Sequence, residues 1–291
     1  MKKGFCLWVL IMGLLSCEKT LNIEPNQQSP KLVVDAEIEN GKAPLVALSH
    51  SLDYFSTIDT ATLNNSFVHN ATVTLSDGSQ TIPLQEYKLS FSGGYAAYYY
   101  STAPGNLFTG TMGKTYSLTI QADGKTYEAT TGIPLLTKRI DSLWWKPAPF
   151  QSDSIKAVLM SRITDPPGYG NYIRYFTQTN QGPFFPGLNS VFDDQIIDGK
   201  TYDIQVDRGV NRNEKLDTGE YGFFKRGDTV TVKFCNIDKA TYDFWRTWEF
   251  SYQSIGNPFS SPGKVLGNIS NGALGSFCGY AAQYRKLIIP K

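Results

Sequence analysis

Between Thr115 and Thr130 the chain leaves little freedom of fold. Tyr116, Leu118 and Ile120 alternate with Thr115, Ser117 and Thr119, Asp123-Gly124 follows, and Tyr127 and Ala129 then alternate with Thr126, Glu128 and Thr130. Successive side chains of a strand point to opposite faces, so each run carries one apolar and one polar face. Asp-Gly between two such runs supplies the positive-φ residues of a tight hairpin turn. A one-sided hairpin needs a second layer to cover its apolar face, and the preceding sequence offers strands of the same kind. Leu32, Val33, Val34, Ala36 and Ile38 form a first, residues 44–52 a second, and residues 71–75 and 95–100 two more, with Asp77-Gly78 as a turn. No helical period interrupts them. Residues 31–135 therefore read as an immunoglobulin-like β-sandwich of about 100 residues. The likeness is architectural, because the Cys-Trp-Cys set of antibody domains is absent.

A boundary falls at Gly132-Ile133-Pro134, and residues 136–291 read as a second β-rich domain. Strands are expected over 138–145, 154–163, 171–177, 202–206, 228–234 and 280–289. A turn is expected at Asp165-Pro166-Pro167-Gly168 and a long Gly/Pro/Phe-rich loop over 178–192. One segment has another period. Trp245, Trp248, Tyr252 and Ile255 recur at helical spacing, Asp238 can cap the start, and Gly256 and Pro258 stop it. The fold class is all-β, with two β-sandwich-like domains, the second carrying one short amphipathic helix over about 239–255.

The first thirty residues carry a different message. Lys2 and Lys3 precede an uncharged apolar run from Phe5 to Leu15, too short for a membrane span and of the length of a signal-peptide core. It ends in Leu14-Leu15-Ser16-Cys17, which resembles the lipobox of bacterial lipoproteins. That resemblance implies cleavage after residue 16, lipid on Cys17, and a polar tether over 17–30. Several acyl chains anchor a protein stably where one does not. Without Lys2 and Lys3, 25 basic residues face 26 acidic ones. A chain this close to neutral has no electrostatic footprint for nucleic acid. Two cysteines stay in the body, Cys235 and Cys278, both in strand-like segments. An exported pair is open to disulfide formation if the Cα atoms come within about 7 Å.

Three strings carry a family resemblance: Lys31-Leu32-Val33-Val34, Phe192-Asp193-Asp194-Gln195-Ile196-Ile197-Asp198-Gly199-Lys200, and Asn257-Pro258-Phe259-Ser260-Ser261-Pro262 followed by Asn268-Ile269-Ser270-Asn271-Gly272-Ala273-Leu274-Gly275. The chain resembles a family of Bacteroidetes lipoproteins catalogued as domain of unknown function 4249. The resemblance implies an outer-membrane lipoprotein, often encoded near TonB-dependent transporters, and brings no biochemical activity with it.

The residues offer little catalytic chemistry. His50 and His69 are the two histidines, and no HExxH, GxSxG, P-loop or CxxC pattern is present. Asp193, Asp194 and Asp198 read as turn residues, with an acid/base pair or a cation site as the alternative. The loop of Asp207, Asn211, Asn213, Asp217 and Glu220 reads as a solvated hairpin, since the glycine and glutamate of a calcium loop are not at their offsets. No metal or cofactor is expected. Phe184 and Phe185, set among prolines and glycines, and Phe259 in a similar loop, read as exposed anchors for a partner. Four triplets, at Thr60, Ser142, Ser154 and Thr229, match the Asp-Ser/Thr-apolar sequon of Bacteroidetes O-glycosylation. The sequence thus reads as a non-enzymatic accessory or binding lipoprotein of the outer membrane, beside a TonB-dependent transporter or an assembly partner. The alternatives are a glycan hydrolase using carboxylates and a glycan- or protein-binding adhesin.

Overall fold

A computed structural model describes residues 29–52, 56–149, 155–217, 219–257 and 263–291. The signal segment, Cys17, Ser154 and Phe259 lie outside these residues. The first strands form where alternation places them: β1 (Leu32–Glu39), β2 (Leu45–His50), β3 (Thr72–Ser76), β4 (Thr81–Ser90), β5 (Ala96–Ser101), β6 (Thr115–Ala122) and β7 (Lys125–Gly132). They pair in the order β1-β2-β5-β4-β3-β6-β7. Asp123 at φ 52° and Gly124 at φ 70° make the expected turn, and Ala122 pairs with Lys125 across it. Tyr116, Leu118, Ile120 and Tyr127 point inward to Val34, Leu48 and Leu75 in one core. The turn at Asp77 takes four residues: Ser76 pairs with Thr81, and the Asp77 Oδ1 accepts the Ser79 and Gln80 amides. A short helix, α1 (Thr60–Ser66), stands where no helix is expected. Asp59 caps it, and none of its residues is buried, so it carries no apolar period to read.

In the second half, β8 (Arg139–Pro147) pairs with β9 (Lys156–Thr164), whose other side takes β12 (Thr201–Val206) and β13 (Phe224–Lys225). The remaining strands, β10 (Tyr172–Thr179), β11 (Phe185–Phe192), β14 (Thr229–Ile237) and β15 (Leu274–Ile288), continue the first sheet in the order β11-β10-β14-β15-β1. The joint is the one parallel pairing in that sheet, from Val33 with Leu274 to Glu39 with Tyr280. One eleven-stranded sheet therefore joins the segments on either side of residues 132–134, and Phe277 and Ala281 of β15 belong to the core of the first segment. The fold is all-β and sandwich-like.

β14 and β15 are covered on both faces. Val230, Val232 and Phe234 meet the four-stranded sheet. Cys235, Tyr280 and Ala282 meet helix α2 (Lys239–Gln253). Strands buried on both sides read as apolar runs without alternation. That is why β15 begins at Leu274, six residues before the expected start.

Close approach requires glycine at two positions of β15. A Cβ on Gly275, at φ +95°, would lie 1.9 Å from the Val34 carbonyl oxygen, and one on Gly279 would lie 2.1 Å from the Gly132 carbonyl oxygen. The Asn/Ser/Gly-rich stretch before them seals the outer edge of β7. The Ser270 amide donates to the Glu128 carbonyl, Glu128 N–H donates to Ser270 Oγ, and Asn268 Nδ2 donates to the Thr130 carbonyl. Asn268 also donates to the Phe277 carbonyl and accepts from its amide, at 2.8 Å each. A sheet edge left bare would template pairing with another chain.

The region 178–192 is corrected from loop to strand. β10 runs on to Thr179, Asn180 turns at φ 57°, and β11 begins at Phe185. Pro186 is tolerated because β11 is the terminal strand, where a missing N–H removes no ladder bond.

Candidate functional site

The second sandwich is open along one side. The edge strands β11 and β12 face each other there across a cleft of about 1060 Å³, with α2 as its wall. The alternation of β12 turns Tyr202, Ile204 and Val206 toward the interior and leaves Asp203 and Gln205 on the rim. Ile173 and Tyr175 of β10 with Val232 and Phe234 of β14 make the floor, and Val191 and Phe192 the near lip. Two large apolar side chains stand at the mouth in water, Ile196 at 86% exposure and Phe250 at 58%. An apolar concavity with a few polar groups at its margin is the usual form of a small-molecule site.

Asp238 holds the wall in place. One carboxylate oxygen caps α2 at the Thr241 amide, 2.8 Å away, and the other accepts the Gly132 amide and the Thr131 hydroxyl of β7. The Trp245/Trp248 stripe packs onto the sheet as its spacing requires. Trp245 Nε1 donates to the Tyr280 hydroxyl at 3.0 Å, and the Arg174 guanidinium lies 3.4 Å over the Trp245 ring. The helix ends at Gln253, so Ile255 lies beyond it, exposed. A second stripe, Tyr242, Arg246, Phe250 and Gln253, faces the cleft. Tyr242 donates to Asp193 at 3.0 Å and accepts from Arg246 at 3.1 Å. Burial, then Asp193, pushes its phenol up to about 12.

The β11 edge takes the Val210 amide at the Pro186 carbonyl and is closed beyond it by side chains. Glu249 accepts the Ser190 amide and hydroxyl and pairs with Arg212 at 2.9 Å, and both partners are largely buried. Arg212 and Gln253 each donate to the Leu188 carbonyl.

The candidate carboxylates part company. Asp193 turns to Tyr242. Asp194 and Asp198 turn to the Asp165–Asn171 turn, where oxygens of Asp165, Asp194 and Asp198 lie within 4.8 Å of one another. Lys138 occupies this acidic spot: its buried ammonium lies 2.6 Å from Asp165 Oδ1 and donates to the Asn171 carbonyl. Asp198 accepts the Gly168 amide, and Asp194 accepts the Gly170 and Asn171 amides. Burial opposes the charge of Asp194, but those amides outweigh it and hold the carboxyl below its ordinary range. Turn amides account for Asp194 and Asp198, and Lys138 for Asp165. The 207–220 loop is built likewise, with Asn211 Oδ1 on the Asn213 amide and Asp217 Oδ1 on the Gly219 amide. His50 pairs with Asp123 and His69 with Glu86, one carboxylate each.

Other expected site residues need correction. Phe184 and Phe185 are half-buried and are no exposed anchors: Phe184 packs edge-on against Tyr284, and Phe185 opens β11 with Gly209 against its backbone. Cys235 and Cys278 are free thiols. Cys235 lies opposite Ala282, leaving Cys278 on the order of 13 Å further along β15. Burial pushes their thiols up to about 12 and about 11. Of the sequon residues, Thr60 is exposed at the first turn of α1, Ser142 is exposed beside a bulge in β8, and Thr229 is half-buried in β14. The cleft itself went unread. Its one signal was Phe250, an aromatic off the Trp245/Trp248 stripe.

Sheet, cover and cleft together define an all-β sandwich-like protein with an apolar site at the open edge of one sandwich. More particularly, the chain belongs to the family described as "Domain of unknown function (DUF4249)", whose model matches residues 18–286. No curated protein matches it. Among the described residues, no helix is long and apolar enough to cross a membrane.

Proposed function

We propose that this protein is a lipid-anchored, non-enzymatic binding protein of the bacterial outer membrane, which captures an apolar small molecule beside a TonB-dependent transporter or assembly partner. The observation that carries the reading is the 1060 Å³ cleft between β12 and α2, apolar on its floor and open to solvent at Ile196 and Phe250. Its size stands at the top of the range of about 300–1,000 Å³ for small-molecule sites. The lipobox-like Leu14-Leu15-Ser16-Cys17 supplies the anchoring half of the reading.

Protein purified from its native membrane carries an apolar ligand visible by native mass spectrometry. Ile204→Asp places an unpaired charge in the cleft and removes that ligand without unfolding the chain. A wild-type protein that is always empty, and that takes up no apolar probe, overturns the binding reading. Cys17→Ala releases the protein from the membrane fraction, and retention of that variant after a carbonate wash overturns the anchor. The same spectra test glycan at Thr60, Ser142, Ser154 and Thr229. A mass equal to chain plus lipid ends that proposal.

A further inference from the structure

The charges around the cleft are unevenly satisfied. On the carboxylate side each has its partner. Asp203 takes Arg162 in a two-pronged pair at 2.7 and 3.0 Å, Glu249 takes Arg212, Asp193 takes the Tyr242 hydroxyl, and Asp207 takes Gln205 and Tyr221. On the cationic side the account does not close. Among the described residues Arg246 makes one donation, to the Tyr242 hydroxyl, out of the five N–H groups a guanidinium offers. Lys264 lines the same cleft and has no ion pair among the described residues. The two stand close in the fold. The chain at Gly263 lies against the Phe250 ring, and the Leu266 amide donates to Thr247 Oγ1, which lays residues 263–266 along the turn of α2 that follows Arg246.

We propose that the cleft binds an amphiphile with an anionic head, a carboxylate or phosphate held by Arg246 and Lys264, and an apolar body lying over Ile204, Val191 and Phe192. The inference rests on the binding reading given above and adds the polarity and direction of the ligand. A planar guanidinium grips either anion with two parallel hydrogen bonds, and a lysine ammonium adds a point charge beside it. The body then replaces water over the apolar floor, and Ile196 and Phe250 close over it from the mouth. A cationic head would meet Arg246 and Lys264 as like charges, while the cleft carboxylates already have donors.

Three probes of one chain length decide the matter: hexadecanoate, hexadecyl phosphate and hexadecanol. They are titrated calorimetrically into the mature chain with Cys17→Ala, prepared without lipid so that no detergent competes. The expected result is that both anions bind about tenfold or more tighter than the alcohol. Arg246→Gln and Lys264→Gln together abolish the preference, so that the anions and the alcohol bind the double variant alike. A stronger response to phosphate than to carboxylate, or the reverse, identifies the head and supports the proposal either way. Equal binding of all three to the unaltered protein overturns the anionic head and leaves the cleft reading standing. An anion preference that survives both substitutions overturns the assignment to Arg246 and Lys264. Failure of all three to bind overturns the inference and the cleft reading together. Circular dichroism of the double variant confirms that any loss is not unfolding, since neither side chain is part of a core.

Discussion

The two ends of the eleven-stranded sheet are finished in different ways. At β7 the outer edge is covered by the backbone and short side chains of Asn268–Asn271, a stretch of the same chain laid along it like a further strand. At β11 the edge takes one backbone bond near its start, from the Val210 amide to the Pro186 carbonyl, and is otherwise met by long side chains, Glu249, Arg212 and Gln253, reaching from elsewhere. A segment laid along an edge, bonded through its backbone and its short side chains, leaves little room beside it. Side chains reaching an edge leave a gap beside it, and that gap is the cleft. One sheet thus has a sealed end that holds the fold and an open end that borders a cleft.

The sharpest way to break this contrast is at the sealed end. Gly275→Ala puts a Cβ 1.9 Å from the Val34 carbonyl oxygen and forces β1 from β15. The expected cost is above about 4 kcal/mol, so the variant is recovered unfolded or not at all. Glu249→Ala at the open end comes next. It leaves Arg212 and Ser190 without their buried partner, at a cost of about 3 kcal/mol by urea titration, and it also weakens ligand capture because Glu249 lines the cleft. Asn268→Ala removes the side chain that ties β7 to β15, at about 2 kcal/mol, and leaves ligand affinity unchanged. Equal effects of these two variants on binding erase the distinction between the ends.

The smallest effect is a matter of pH. Asp194 anchors the turn that leads to Ile196, and its carboxyl is held below the ordinary 3.8 because the Asn171 and Gly170 amides outweigh its burial. A depressed folded value stabilises the protein above pH 3.8, and that contribution disappears as pH falls through the folded value. Asp194→Asn is therefore less stable than the parent at pH 7, and the gap narrows at pH 3. A gap constant between the two pH values contradicts the role given to the charge.

What the sequence made legible follows the number of faces each strand buries. β6 and β7 bury one face, so their residues alternate, and the turn at Asp123-Gly124 could be read down to its backbone angles. The α2 helix announced itself through Trp245 and Trp248 and the Asp238 cap. β14 and β15 bury both faces, so Phe277-Cys278-Gly279-Tyr280-Ala281-Ala282 offers no period to read. β11 was hidden by Pro183 and Pro186, ordinary signs of a loop that an edge strand also tolerates. The cleft was invisible for another reason. Its floor, lip and wall come from five elements, each with a pattern that packing alone would explain, and only their placement makes a concavity. The family strings were legible as a match, while the reason for the most ordered of them, the seal along β7, required the fold.

The parallel pairing of β1 with β15 has a consequence for how such a chain matures. Val33 waits for Leu274, so a strand made early in synthesis finds its neighbour among residues made about 240 positions later. Non-local pairing of this kind is slow, and an unpartnered strand invites aggregation in the interval. A chain synthesised in this order passes the interval with one side of β1 bare, until β15 is made and closes it.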